Sequence, residues 1–356
     1  PIPMYAYKMS TEYYDSPAPA SLQTKEDARF AVEKVFADNA TIFTRLGLDE
    51  KNIYFGNSLG ICKALDKQTH KVKWEYKTAA MLYARPAVDR KYVVLPTADR
   101  RLVWLDKKSG KETYAFNADG PYVADGVIEK GILYQGGYKT FQAWDIAKHK
   151  LVWRFDDIDN YCQAAPVIFG AWDTYLRSIN KKSGKLQWKW NNGKTVNLFS
   201  PGNVVPVVTA DKVVVVAPDR VATAVDRKSG KQIWREKNEN KVRESLGRSE
   251  DGKVAYAKTM DGELVAMSTE GNSYKLLWKT DLGLGYEHAP CIVIEHDGFV
   301  YAGSRHGQLS IVDAATHQLV VSYPMGTSEV NGFEVDANGD VYCSLIEGTI
   351  FKITRK

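Results

Sequence analysis

The chain has 356 residues, of which 44% are hydrophobic and 26% charged, with a formal net charge of +5. That is the composition of an ordinary folded protein. No apolar run approaches the roughly 18 residues a membrane-spanning helix needs, and no basic groove interleaved with aromatics points to nucleic acid.

Residues 1–28 are rich in Pro, Ser and Tyr and lack strand alternation, so they read as a tail, linker or appended arm. The chain opens Pro1-Ile2-Pro3-Met4 with no signal peptide, the expectation for a mature form or a piece of a longer protein. The first predicted strand is Phe30–Phe36, FAVEKVF. Next comes the stretch from Ile53 to Trp74, IYFGNSLGICKALDKQTHKVKW. It combines an apolar strand, a Gly-containing turn, a second apolar strand ending in Ala-Leu-Asp, a polar turn and a strand carrying Trp.

This pattern recurs. The residue ending its second strand is Asp66, then Asp106, Asp145, Asn180, Asp226, Ser268 and Asp313, spaced 35 to 46 residues apart. The bulky residue that follows aligns as Trp74, Phe116, Trp153, Trp188, Trp234, Trp278 and Tyr323. Such a period fits four short strands per propeller blade. Eight central hairpins are predicted, at 53–65, 92–105, 131–144, 167–179, 213–225, 254–267, 299–312 and 340–353, but the last lacks an outer strand because the chain stops at Lys356. The strand near Phe30–Phe36 can supply it. The predicted fold is therefore an all-β, eight-bladed propeller of four-stranded antiparallel blades. A single domain over 29–356 has its ring closed by the N-terminal strand.

The turn after each second strand reads Asp-x-x-Ser-Gly-Lys at 106–111 and 226–231, with Asn180 replacing Asp at 180–185. A short Asp or Asn side chain accepts backbone N–H bonds just ahead of it, and Gly supplies a left-handed conformation. His70, His149 and His317 stand at the Gly position, consistent with the enrichment of His at positive φ. These aspartates and histidines are thus turn residues, one per blade, rather than catalytic pairs or metal ligands. The repeated aromatics read as packing between neighbouring sheets. Copy six departs most, with a longer turn through Glu270-Gly271-Asn272-Ser273, and the charged stretch 235–253 reads as a protruding loop. Lysines such as Lys107, Lys108, Lys181, Lys182, Lys228 and Lys231 make the turn face basic. An acidic partner would suit it, but the plainer reading is solubility. The four cysteines, Cys62, Cys162, Cys291 and Cys343, form no CxxC. Cys62 and Cys343 fall in the first and last blades, which become neighbours on closure, so their disulfide state stays open.

The pattern apolar-Tyr-x-Gly-Ser-x-x-Gly-x-Leu-x-x-x-Asp-x-x-Thr/Ser-Gly-Lys-x-x-Trp, carried by Val300–Asp313 and Lys228–Trp234 among others, resembles the repeat of PQQ-like, quinoprotein-type β-propellers over about residues 30–356. The resemblance implies the fold more firmly than the function. It implies a periplasmic or extracellular setting. The family spans quinoprotein dehydrogenases that bind pyrroloquinoline quinone with calcium, non-catalytic BamB-like propellers, and propellers appended to hydrolases such as calcineurin-like phosphoesterases. In the quinoproteins the quinone lies on a tryptophan floor, often against adjacent cysteines, with carboxylates and amides holding calcium. Here no cysteines are adjacent, and Trp104, Trp144 and Trp172 belong to central hairpins, so no cofactor is expected.

Where a propeller binds ligands, the loops entering the innermost strands converge. They vary from blade to blade, while the turns do not. The candidate binding residues are Tyr83 and Arg85, Tyr122 and Asp125, Tyr161 and Gln163, Asn197 and Ser200, Glu244 and Arg248, Tyr286, Glu287 and His288, and Glu329 and Asn331. A polar rim with tyrosines suits a protein partner, a sugar or a peptide. Neither catalytic residues nor metal ligands are assigned, because Glu287 and His288 are adjacent on a strand and point to opposite faces. The expectation is a non-catalytic binding propeller, acting alone or as an accessory domain. The alternatives are a quinoprotein dehydrogenase and the C-terminal domain of a hydrolase.

Overall fold

The computed structural model describes residues 18–158, 162–163, 168–170, 175–192, 206–216, 221–237, 246–287 and 293–356, with backbone alone for 162–163 and 168–170. Every regular element among them is a strand. The strands form eight four-stranded antiparallel sheets, seven of them running in chain order from the innermost strand to the outermost. Blade 1 shows the plan with Gly47–Leu48, Asn52–Gly56, Ile61–Asp66 and Val72–Lys77. The second and third strands of a blade are buried nearly throughout because other blades cover both of their faces, so they are apolar without alternation. The outer strand alternates: Trp74 is buried while Lys73 and Glu75 are exposed.

The eighth sheet is closed as the counting argument requires. Phe30–Ala37 pairs antiparallel with the last strand, Thr349–Arg355, from Phe30 opposite Arg355 to Ala37 opposite Thr349, with a bulge between Lys34 and Phe36. The closure is also apolar. Phe30 lies edge-on to Phe299 of blade 7, with ring centroids 5.0 Å apart, and Val35 joins Ile53, Phe55 and Leu65 of blade 1 in one core. Ahead of this strand, Lys25 exchanges two backbone hydrogen bonds of 2.8 Å with Ser322 on the outer strand of blade 7. Leu22 packs on the core between blades 6 and 7, so the end of the N-terminal arm lies along these two blades.

Sheet-to-sheet packing explains the repeated residues. In the outer strand Trp74, Trp153, Trp188, Trp234 and Trp278 each stand opposite a small residue of the third strand: Ala64, Ala143, Ser178, Ala224 and Ala266. Blade 2 inverts the pair, setting Trp104 opposite Tyr114, and blade 7 uses Ile311 and Val321. The expected register at Phe116 and Tyr323 is therefore off by two residues. They share a strand face with the true positions, Tyr114 and Val321, which is why alternation could not separate them.

Each indole reaches the turn of the next blade. The N–H groups of Trp74, Trp153 and Trp188 donate to the carbonyls of Lys107, Lys181 and Arg227 at 2.9, 2.7 and 2.8 Å. The turn glycines Gly110, Gly184 and Gly230 have φ near 72°, and a Cβ on any of them would sit 2.5–2.6 Å from the indole. Where His replaces Gly, φ stays positive at 58°, 52° and 65° for His70, His149 and His317. His149 and His317 then stack on the preceding blade's Tyr114 and Trp278 at 5.2 and 4.5 Å. In copy six the longer turn runs until the Ser268 N–H meets the Lys275 carbonyl. Among the described residues no acceptor reaches the Trp234 indole N–H, and its ring packs at a steep angle to Tyr274 of that turn, with centroids 5.6 Å apart. Of the cysteines, Cys62 and Cys343 are buried and unbridged. The side chains of Cys162 and Cys291 lie outside the described residues, as do residues 238–245 of the stretch 235–253 expected to protrude; Arg235 and Glu236 end an outer strand and Gly247–Arg248 form the next inner one.

Candidate functional site

The blade plan gives the ring two faces. On one, the described loops entering the innermost strands of blades 1, 2, 3, 7 and 8 are fastened to the hairpin turn of the blade before. Leu82 N–H donates to Asn57 O, Tyr122 to Thr97, Glu287 to Met260, Val330 to Ser304 and Ile42 to Ile346. On the other, the Asp-x-x-Ser-Gly turns bond to the first hairpin of their own blade, as in Lys107 N–H to Lys91 O and Arg227 N–H to Asp211 O. The candidate residues sort onto this frame by burial.

Tyr286 is the most open, with 62% of its surface exposed. Tyr83 is half-buried and stacks on Phe43 at 5.7 Å, and the two rings share a small cluster with Met81 and Ile346. This forms an aromatic ledge at the seam of blades 8 and 1. Arg85 and Asp125 come together. Asp125 accepts the Arg85 backbone N–H at 2.7 Å, and the Arg85 guanidinium donates to Glu334 at 2.9 Å and to the Gly126 carbonyl at 3.3 Å. Arg45 completes the group, 2.6 Å from Glu334 and 3.7 Å from Asp125. The Glu334 carboxylate holds the Arg85 guanidinium above its ordinary pKa. Four charges from blades 8, 1, 2 and 3 thus meet near the axis, beside a cavity of about 210 Å³ lined by Leu46, Pro86, Gly126 and Val335. Arg45 and Glu334 were missed as candidates. Glu334 lies inside a strand, three residues past Asn331, and position 45 reads as a charged residue only against Arg85 and Asp125 in the following blades.

The remaining described candidates hold the frame. The Tyr122 hydroxyl donates to Gln142 inside blade 3. Asn331 donates to the Ile42 carbonyl and the Ser344 hydroxyl, tying blade 8 to the loop that enters blade 1. Glu329 is buried, and its carbonyl receives the Ile346 N–H. Arg248 lies at the far end of its strand and bonds the carbonyls of Val208, Ser249 and Glu250, away from the entry loops. Glu287 is buried with Lys258, which donates to it, and lies 3.6 Å from His306. Burial pushes the His306 pKa down. Tyr161, Asn197, Ser200, Glu244, His288 and the Gln163 side chain lie outside the described residues.

Ser304, His306 and Glu287 have the residue types of a hydrolytic triad, since the Ser304 hydroxyl is 3.0 Å from the His306 Nδ1. Their geometry has a simpler cause. Ser304 accepts the Gln308 N–H at 2.9 Å and closes its hairpin turn, as Thr97 does with Arg101, Thr259 with Glu263 and Asn57 with Ile61. The serine is the turn-closing residue of its blade, and both it and His306 are buried.

The family model described as outer membrane protein assembly factor BamB, a PQQ-type repeat, matches residues 44–188 and 120–356. The chain belongs to this family. BamB of Yersinia pestis is 20% identical over 315 residues, covering 85% of this chain and 69% of the relative. Among solved structures, BamB from Moraxella catarrhalis superposes with a TM-score of 0.53 at 15% identity, covering 96% of each chain. Quinohemoprotein alcohol dehydrogenase from Comamonas testosteroni superposes with a TM-score of 0.70 at 12% identity, covering 93% of this chain and 78% of the enzyme. At these identities the structural likeness concerns the fold.

The family fold also carries quinone and calcium in its dehydrogenases, so the fit of these residues matters. Both central carboxylates, Asp125 and Glu334, are engaged by arginines. Trp104 and Trp144 direct their N–H groups into the blades, to the Ile146 carbonyl and Gln142, so neither is a floor at the axis. Among the described residues no group of three or more His, Cys, Asp or Glu side chains is placed to hold a metal ion. The described residues do not fit the group.

Proposed function

We propose that this chain is a non-catalytic, protein-binding propeller acting in the periplasm or outside the cell, with its partner seated on the face formed by the entry loops. The observation that carries this reading is the pairing of a rigid loop face with accessible aromatics. The described entry loops are fastened by backbone hydrogen bonds, while Tyr286 is 62% exposed and Tyr83 lies half-buried over the buried Phe43. Aromatics on a preorganised surface are what protein interfaces are enriched in, and they cost little entropy to immobilise. A sugar in the cavity beside Arg85 is less well served, because about 210 Å³ falls below the roughly 300–1,000 Å³ of ordinary ligand pockets. Membership of the BamB family supports a protein partner and an envelope setting. The reading holds whether the propeller acts alone or within a longer polypeptide.

The test is site-specific photocrosslinking in the source cell, with benzoylphenylalanine at position 286 and, as control, at Val152, which is 49% exposed on an outer strand. Position 286 should give a discrete adduct that Tyr83→Ala weakens, and position 152 should not. Equal adducts at both positions, or none at 286, would contradict the proposal. Pyrroloquinoline quinone with Ca²⁺ should leave the melting temperature unchanged, whereas a rise of several degrees would restore the quinoprotein reading.

A further inference from the structure

The opposite face, made of the turns, carries its lysines unevenly. In blades 2, 4 and 5 the turns carry Lys108, Lys111, Lys182, Lys185, Lys228 and Lys231, all exposed, and none has a carboxylate within ion-pair distance among the described residues. In blade 7 the same turn reads Asp313-Ala314-Ala315-Thr316-His317 and carries no lysine. In blades 6 to 8 this face presents Glu250, Asp251, Glu270, Asp297 and Asp336, with Lys253 and Lys275 in blade 6. The first-hairpin turns on this face carry acids in most blades, Glu50, Asp89, Glu129 and Asp211 as well as Asp297, so it is the lysines of blades 2, 4 and 5 without a carboxylate beside them that stand out.

A cavity of about 850 Å³ lies within the basic half, between blades 4 and 5, lined by Lys181, Lys182, Gln187, Asp211, Arg227 and Lys228 among others. Its acidic members are already engaged. Asp211 is 2.7 Å from the Lys212 ammonium, and Asp226 receives the Ser229 N–H and hydroxyl. Lys181 is answered by Glu129 at 2.5 Å, and the Arg227 guanidinium donates to the Thr209 carbonyl. That leaves Lys182 and Lys228 facing one opening from two blades, with Lys185 and Lys231 just beyond the turn glycines.

We infer that this basic half of the turn face is a second docking surface, and that it takes an acidic, extended polypeptide segment. A membrane would be gripped by apolar side chains as well as by charge, and the exposed large apolar residues, such as Val72, Val152 and Leu186, lie on outer strands rather than in the turns. Single-stranded nucleic acid would call for aromatic stacking platforms, and none lines the cavity. A row of carboxylates along an extended chain matches lysines set on successive blades, and such complementarity raises the association rate and fixes the register.

The probe is a fluorescein-labelled ten-residue polyglutamate peptide, followed by anisotropy on the whole chain at low salt. It should bind, and raising the salt should weaken it. Together, Lys182→Glu, Lys185→Glu, Lys228→Glu and Lys231→Glu should weaken it by at least about tenfold. Lys34→Glu, Lys73→Glu, Lys77→Glu and Lys279→Glu change net charge equally on other exposed strands and should not. No binding by the native chain, or equal losses in both variants, would overturn the inference. Preferential, turn-dependent binding to phosphatidylserine vesicles or to an oligonucleotide would overturn the assignment to a peptide. Tyr83→Ala with Tyr286→Ala should leave peptide binding unchanged, which separates this surface from the proposed loop-face site. Circular dichroism on each variant confirms that it folds.

Discussion

The indole N–H of Trp188 is bonded to the next blade's Arg227 carbonyl, whereas that of Trp234 meets the altered turn of copy six and has no acceptor among the described residues. The two residues are otherwise alike in position and burial, so they measure what the hydrogen bond contributes. Trp188→Phe should cost about 1 kcal/mol more than Trp234→Phe, the net worth of one such bond. Denaturant midpoints for the two variants test this, and equal losses would mean that shape alone holds the blades. Either Trp→Ala should cost about 3–5 kcal/mol; a loss below about 1 kcal/mol at Trp234 would contradict its burial. Gly110→Ala meets both a positive φ and the Trp74 ring, and should cost about 2–4 kcal/mol. Gly271→Ala meets only a positive φ, with nothing in reach of its Cβ, and should cost about 1–2 kcal/mol. Thermal melts of the pair separate backbone strain from crowding. His306 is a buried base whose pKa lies below the ordinary 6.5, and it faces Glu287, Lys258 and Arg305. The unfolded chain therefore takes up a proton first, and stability is lost as pH falls below about 6.5 toward the folded value. His306→Gln should flatten that part of the stability profile, and an unchanged slope would show that other groups set it.

At the scale of the element, the repeat was legible because one stretch, Ile53–Trp74, displays three of a blade's four strands in order. The turn assignment held for His70, His149 and His317, whose backbone is left-handed as the sequence implied. The stacking of His149 and His317 on the preceding blade could not be read, since it joins residues about 35 to 40 positions apart. The register of Phe116 and Tyr323 failed for a related reason. Two-residue alternation identifies a face but not a rung, and only the opposing small residue, Ala64 or Ala143, marks the rung. The candidate site was less legible still. Entry loops could be located, but burial could not, so Tyr122, Asn331 and Glu287 were grouped with Tyr286 although all three are buried within the frame. Arg45 and Glu334 emerged only when distant strands met. The hairpin-closing role of Ser304 makes an element-scale prediction. Ser304→Thr should preserve the fold as Thr97 and Thr259 do in their blades, whereas Ser304→Ala should cost about 1–2 kcal/mol by leaving the Gln308 N–H without its partner, measurable by urea unfolding.

At the scale of the whole molecule, everything said of either face depends on the ring being closed. Closure sets the loop entering blade 1 beside blade 8, where Asn331 and Ser344 meet its carbonyls, and it assembles the Arg45–Glu334 and Arg85–Glu334 pairs from opposite ends of the chain. The pairing of Phe30–Ala37 with Thr349–Arg355 is therefore the contact to challenge. The direct measurement is the melting temperature of a chain lacking residues 1–37, alone and with a peptide spanning residues 27–38 added in trans. The truncated chain should melt well below the intact one and recover on titration with the peptide. An unchanged melting temperature without the peptide would contradict closure by the N-terminal strand.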